Sequence, residues 1–138
     1  MRGLRRHPDW RPRLAAALRR FDRAAFCDER CHCGHLANAA LQAVTDVDLI
    51  AMIAPQDRSR AGIEAGLAVL GVADHEELLD ASFEAQPVSG ARDGDLGMVE
   101  TSEGPALGVF SGGRFFCLRP SGLASRPMSL AHRAWRVG

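Results

Sequence analysis

The 138-residue sequence contains no lysine, and its 17 basic residues are all arginine. This bias is typical of a GC-rich genome and carries little functional information. The arginines are balanced by 17 acidic residues, so the formal net charge is zero. A protein that binds nucleic acid through its overall charge carries a clear basic excess. We therefore expect no nucleic-acid partner.

The sequence also lacks a long apolar run. Its apolar stretches fall far short of the roughly 20 residues that a membrane-spanning helix needs. No apolar segment of the signal-peptide kind follows the N-terminal arginines. We therefore expect neither a membrane span nor a signal peptide. In a chain that is not exported, four cysteines favour free thiols or metal ligands over disulfides.

The order of the predicted elements indicates an α+β fold. Apolar side chains at spacings of three and four predict helices. These helices cover residues 10–23 and 33–44, and further helices end near residues 55, 71 and 83. Short apolar runs between Gly and Pro predict strands. These strands cover residues 96–100, 106–110 and 114–118, and a last strand lies near the C-terminus. Helices followed by an antiparallel meander are the α+β pattern.

We predict one domain with three parts. An Arg-rich helix occupies residues 1–25, which contain eight arginines and only two aspartates. A helical half follows at residues 26–86, and residues 87–138 form the antiparallel strands. Asp93 and Asp95 lie two positions apart at a predicted turn, so they are interpreted as turn residues and not as a carboxylate pair for catalysis.

The stretch FCDERCHCGHLANAAL (residues 26–41) holds three of the four cysteines. If Cys33 begins the second helix, the unsatisfied backbone N–H groups and the helix dipole stabilise a thiolate there. An attacking thiol also needs a base, usually a histidine, within hydrogen-bond reach. A zinc or iron–sulfur site is a second interpretation, with ligands drawn from Cys27, Cys31, Cys33, His35 and Cys117. In a third, the cysteines only fill space around the helix start.

The segment HCGHLANAALQAVTDVD (residues 32–48) resembles the nucleophile segment of NlpC/P60-type proteins. There a cysteine opens a helix of small residues, and the phage tail-associated branch continues with Thr-Gly-Val-Asp, where this chain has TDVD. DGDLGMV (residues 93–99), ALGVFSGGRFF (residues 106–116) and RAWRV (residues 133–137) resemble later strands of that branch, in the same order. The resemblance implies a papain-like fold with Cys33 at the nucleophile position.

The chain departs from the active members of that superfamily at the catalytic base. Active enzymes carry a histidine at the start of the strand that reads His-Val-Gly-Ile-Tyr, and Ala106 stands at the matching position. The usual Asp before the nucleophile is His32 here, and the upstream Trp-Gly pair is missing. A general base contributes roughly 100- to 10,000-fold to the rate. The resemblance therefore implies that peptide cutting is weak or lost.

Another histidine can replace the base only if the fold brings it near Cys33. We name His132, on the last predicted strand, as a possible substitute. His75 is a further candidate. We expect His32 and His35 to point away from the thiol, because neighbouring side chains at a helix start diverge.

The resemblance also implies a place for the protein. It indicates a component of a phage tail tip or baseplate, made in the bacterial cytoplasm and incorporated into the virion. Hub or distal tail proteins are the implied partners, and peptidoglycan is the implied substrate of an ancestral thiol peptidase. We predict a structural role with degenerate catalysis and no cofactor. An active cysteine peptidase that cuts peptidoglycan peptides, and a small interaction module stapled by zinc or an iron–sulfur cluster, stay open as alternatives.

Overall fold

A computed structural model describes residues 1, 3–22 and 32–138. Within them the chain forms five α-helices and six β-strands, which confirms the α+β fold. The helices are α1 (Trp10–Phe21), α2 (Cys33–Thr45), α3 (Leu49–Ile53), α4 (Arg60–Leu70) and α5 (His75–Ser82). None of these described helices is long and apolar enough to cross a membrane.

The helix ends follow local sequence signals. Asp48, Ser59 and Asp74 precede α3, α4 and α5, and each side chain accepts a backbone N–H of the first turn. Gly71 ends α4 in the left-handed conformation, with φ 75°. The second predicted helix is confirmed, because α2 begins at Cys33 as expected.

The strands form one antiparallel sheet in the order β1-β6-β2-β3-β4-β5. They are β1 (Glu84–Gln86), β2 (Leu96–Thr101), β3 (Gly104–Ser111), β4 (Arg114–Arg119), β5 (Gly122–Pro127) and β6 (Ala131–Arg136). The three predicted strands and the C-terminal strand are confirmed as β2, β3, β4 and β6. The sequence did not predict β1 or β5.

Helix α2 packs on the middle of the sheet. Its buried residues Ala37, Leu41 and Val44 share a hydrophobic cluster with Leu107 of β3 and Trp135 of β6. Helix α2 lies directly against β3 and also contacts α1 and α3. This packing brings the N-terminus of α2 to the beginning of β3, which is the region of the candidate site.

Two glycines make room for aromatic rings inside the sheet. Gly97 of β2 and Gly108 of β3 are paired across the strands. A Cβ atom on either glycine would lie within 2.8 Å of the Phe115 ring. The Phe110 and Phe115 rings pack together with their centroids 5.0 Å apart. The glycines are thus needed for this aromatic packing.

Replacing Gly108 with alanine is expected to lower the free energy of unfolding by about 1–3 kcal/mol or more. The new Cβ atom would lie 2.0 Å from the carbonyl oxygen of Phe116, which cannot move away without disturbing the pairing of β3 with β4. Urea unfolding measures the change. Gly90→Ala is the control, because no atom lies closer than 3.8 Å to its new Cβ atom; equal stability of the two variants would contradict the prediction.

Candidate active site

Cys33, the first residue of α2, is half-buried and lines a groove of about 300 Å³. Pro105 and Ala106 of β3 line the same groove, together with Leu118 of β4. The thiol also packs against the buried cluster that contains Ala106 and Cys117. A cysteine at a helix N-terminus therefore faces the start of a strand across an open groove.

His32 is the N-cap of α2, and its imidazole completes a reciprocal cap. The backbone N–H of Gly34 donates to His32 Nδ1 at 2.9 Å. In return, the backbone N–H of His32 donates to His35 Nδ1 at 3.3 Å. The two rings lie with their centroids 4.0 Å apart. Both side chains thereby satisfy N–H groups that a helix end leaves open.

The cap conformation sets the direction of the His32 side chain. As the N-cap, His32 has an extended backbone (φ −109°, ψ 177°), so its side chain does not project as one on a helix does. Its imidazole lines the same groove as Cys33. His35 is turned elsewhere, and its Nε2–H donates to the Arg58 carbonyl oxygen at 2.6 Å. Both nitrogens of His35 are therefore engaged.

His75 enters the groove from α5. It lines the groove with Cys33 and also a smaller cavity of about 70 Å³ that the thiol shares. A Cβ atom built on Gly34 would lie 3.4 Å from His75 Nε2, so this nitrogen points at the first turn of α2. The His75 ring stands edge-on to His32, with centroids 6.4 Å apart. The fold thus places two imidazoles in the groove that Cys33 lines.

Bonds to the last strand hold α5 in this position. Arg133 of β6 donates to Glu76 at 2.5 Å and also pairs with Asp80. The indole N–H of Trp135 donates to the same Asp80 carboxylate at 2.9 Å. His75 is the neighbour of Glu76 at the start of the helix, so these contacts fix where its imidazole lies.

Burial keeps the three histidines neutral. It is the largest cause that lowers the pKa of His32 from its ordinary 6.5 to about 3, and the adjacent His35 and His75 rings add to the effect. Burial also lowers the pKa of His35 and of His75. Near pH 7 these imidazoles can accept a proton or donate from their single N–H, but they carry no positive charge that would stabilise a thiolate.

The neutral His32 makes stability depend on pH. In the unfolded chain its imidazole binds a proton below about 6.5, but in the folded chain only near 3. Between these values the unfolded state holds more protons, so stability falls as the pH is lowered. His32→Asn retains an N-cap acceptor and removes this titration. We expect the variant to lose about 2–3 kcal/mol less than the wild type between pH 7 and pH 4.5.

Urea unfolding of both proteins at the two pH values measures this difference. His7→Asn provides the control, because His7 is half-buried and lies outside the groove. A His32→Asn variant that loses as much stability on acidification as the wild type would contradict the assignment.

The other residues singled out from the sequence lie in different places. Ala106 is buried on β3 and brings no imidazole to the groove. Cys117 is fully buried on β4, where burial raises the pKa of its thiol. His132 lies exposed on β6, and it is not among the residues that line the groove.

Only some of the proposed metal ligands lie among the described residues. Cys27 and Cys31 lie outside the described residues. Among the residues that are described, no three Cys, His, Asp or Glu side chains form a group able to hold a metal ion. The zinc or iron–sulfur interpretation therefore stays a prediction.

Charged side chains flank the thiol. Arg60 of α4 and Arg119 of β4 both line the groove. Arg119 pairs with Glu103, which lies on the same groove wall, at 3.4 Å. Arg60 pairs with Glu64 at 3.3 Å, so both guanidinium groups already have a carboxylate partner. Sequence reasoning did not find these residues, because nothing in their local pattern connects them to Cys33.

These features define an α+β protein with a cysteine and two neutral histidines in one groove. The chain belongs to a family described as a domain of unknown function, DUF6950, whose model matches residues 5–137. The match includes every described residue of the groove. A comparison with curated proteins finds no match.

Proposed function

We propose that the protein is a structural component of a phage tail tip or baseplate, built on a papain-like, NlpC/P60-type fold with a degenerate catalytic site. The observation that carries this proposal is the groove opposite Cys33. Ala106 occupies the strand position where the resembling enzymes hold their base, and it lines the groove beside the thiol. The strand therefore offers the thiol no proton acceptor.

The surface supports a role in assembly. Met52 of α3 and Val69 and Leu70 of α4 are large apolar side chains with 65%, 88% and 56% of their surface exposed. Contiguous apolar groups at a surface are typical of contact sites, and Val69 and Leu70 are neighbours at the end of α4. Helix α1 adds exposed arginines such as Arg11 and Arg19, which suit interface ion pairs. Hub or distal tail proteins are the partners that this proposal names, and the virion is its location.

Purified particles test the structural role. We expect mass spectrometry to find the chain in intact tails at a fixed ratio to the other tail proteins. Val69→Asp places a charge on the exposed apolar surface and should reduce incorporation into tails. Ser89→Asp, which adds the same charge at another exposed position, should not. Absence of the wild-type chain from purified tails would refute the structural role.

An active cysteine peptidase is the second candidate, and one observation favours it. His75 brings a neutral imidazole into the groove from α5, although β3 brings none. In this function Cys33 is the nucleophile, and the substrate is a peptide amide of the cell wall.

Digestion of purified peptidoglycan tests this second function. We expect the wild-type chain to release peptide fragments with new amino and carboxyl ends, identified by mass spectrometry, and Cys33→Ser to release none. If wild type and Cys33→Ser give identical products, the chain is not a peptidase for this substrate.

A further inference from the structure

Two buried nitrogens of residues that line the Cys33 groove have no hydrogen-bond partner within the described part of the chain. His32 is only 3% exposed, yet its Nε2 makes no hydrogen bond with any described residue. The same holds for His75 Nε2 within the described part of the chain. Buried polar atoms of a folded protein are nearly always paired. Both residues line the groove, so a small movement of either ring would bring its Nε2 to a ligand that enters.

The hydrogen bonds of the cap fix which of these nitrogens is a donor. His32 Nδ1 accepts the Gly34 N–H, so the proton of the neutral ring is on Nε2. His32 therefore carries an N–H donor without a partner among the described residues, on a side chain that lines the groove. An N–H donor beside a thiol is the arrangement that binds the oxygen of a carbonyl under attack.

His75 is suited to the opposite task. Its Nε2 points at the first turn of α2, where Cys33 is the first residue. Burial is the largest cause that lowers the pKa of His75. Asp74 and Glu64 oppose this effect, and Arg60 adds to it. Its Nε2 makes no hydrogen bond within the described residues, the Cys33 thiol included, and catalytic hydrogen bonds often tighten only when the substrate is bound.

We propose that His32 and His75 complete a carbonyl-attacking site around Cys33, in which His75 Nε2 takes the thiol proton and His32 Nε2–H donates to the carbonyl oxygen. This inference rests on the second function above, and it names the residues that replace the missing strand base. The ligand class is an amide or ester carbonyl of a peptide.

The step balances without a further reagent. The Cys33 sulfur forms a bond to the carbonyl carbon as its proton passes to His75. The carbon–nitrogen bond of the amide then breaks, and the leaving amine takes that proton. Water hydrolyses the thioester by the same route, with His75 as the base, and regenerates the thiol. His32 remains neutral and bound to the oxygen throughout.

The role of His75 is tested with an aromatic disulfide, which reacts with thiolates and contains no carbonyl group. Mass spectrometry of the Cys33 peptide gives the rate at that residue alone. At pH 6.5 we expect His75→Gln to react at least about tenfold more slowly than the wild type. At pH 9.5 an ordinary thiol, with a pKa of about 8.5, ionises unaided, so the two rates should converge. Equal rates at pH 6.5 would overturn the proposal.

The role of His32 is tested with an activated aryl ester, which does contain a carbonyl. His32→Asn preserves the helix cap and removes the Nε2–H donor. We expect the ratio of the ester rate to the disulfide rate at Cys33 to fall at least about tenfold in this variant. An unchanged ratio would remove His32 from the site.

These reagents separate the inference from the function on which it rests. A chain that leaves peptidoglycan intact but shows both histidine effects has the proposed site and acts on another carbonyl compound. If the reaction rates at Cys33 change in neither histidine variant, the chain lacks the proposed site, whether or not it cuts peptidoglycan.

Discussion

Replacing Asp95 with asparagine is expected to lower the free energy of unfolding by about 3–5 kcal/mol. The carboxylate is fully buried at the start of β2. It accepts from the Arg6 guanidinium at 3.0 Å and from the Val137 backbone N–H at 3.0 Å. It also accepts from Gln86 Nε2 at 2.8 Å and from the Arg92 backbone N–H at 2.9 Å. Both oxygens are therefore fully used.

Asparagine has nearly the same shape but cannot make the same bonds. One of its polar atoms is an NH₂ group, which would face donors instead of accepting from them. The Arg6 charge, whose side chain is only 13% exposed, would lose its counter-charge. Arg6 also donates to the Val137 carbonyl oxygen at 2.9 Å. Asp95 therefore joins the N-terminal segment, β2 and the C-terminus, and its loss should weaken all three connections.

Urea unfolding at pH 7 measures this effect. Asp93→Asn is the matched control, because the Asp93 carboxylate is 37% exposed and lies 3.9 Å from Arg11. An exposed pair of this kind contributes about 0–1 kcal/mol. If Asp95→Asn is as stable as the control, the buried carboxylate does not fasten the two ends of the chain.

The turn at Asp95 shows what sequence reasoning could and could not find. The turn itself was predicted, and the bond from the Arg92 N–H to Asp95 is turn chemistry. The partners Arg6 and Val137 lie far away along the chain, and no local pattern connects them. Sequence periodicity therefore identifies local structure well but does not reveal long-range ion pairs.

The strands also divide into those that local sequence predicts and those that it does not. β2, β3 and β4 were predicted because apolar residues in them are bounded by turn signals. β5 (GLASRP) is mostly half-buried or exposed and contains Ser, Arg and Pro, so it lacks an apolar pattern. β1 has only three residues and none of them is buried. Both strands depend on pairing with a neighbour, which the sequence alone does not show.

Some residues of the groove could be found from local sequence signals, and others depend on long-range contacts. Local sequence signals predict that a helix begins at Cys33, and α2 does begin there. His32 is expected to point away because neighbouring side chains at a helix start diverge, and no local signal predicts the histidine cap on the groove. His75 was one candidate of several, since the contact of α5 with the first turn of α2 depends on Arg133 and Trp135 of the last strand.

Placing a histidine at position 106 is expected to restore thiol reactivity after His75 has been replaced. In the His75→Gln background, Ala106→His should raise the rate of disulfide exchange at Cys33 at pH 6.5 by roughly 10- to 100-fold. Ala106 lines the groove and belongs to the cluster that packs against Cys33. An imidazole introduced there therefore enters the space beside the thiol, from the strand position that the resembling enzymes use.

Ala106→Gln in the same background is the control, since glutamine fills a similar volume but is not a base. Circular dichroism must first show that both variants fold, because Ala106 is only 7% exposed. A folded Ala106→His variant that reacts no faster than Ala106→Gln would contradict the papain-like alignment of β3 with Cys33. A faster reaction would show that the strand keeps the geometry of a catalytic base although the base is absent. Cys33 could then take its proton acceptor from either side of the groove, from β3 or from α5.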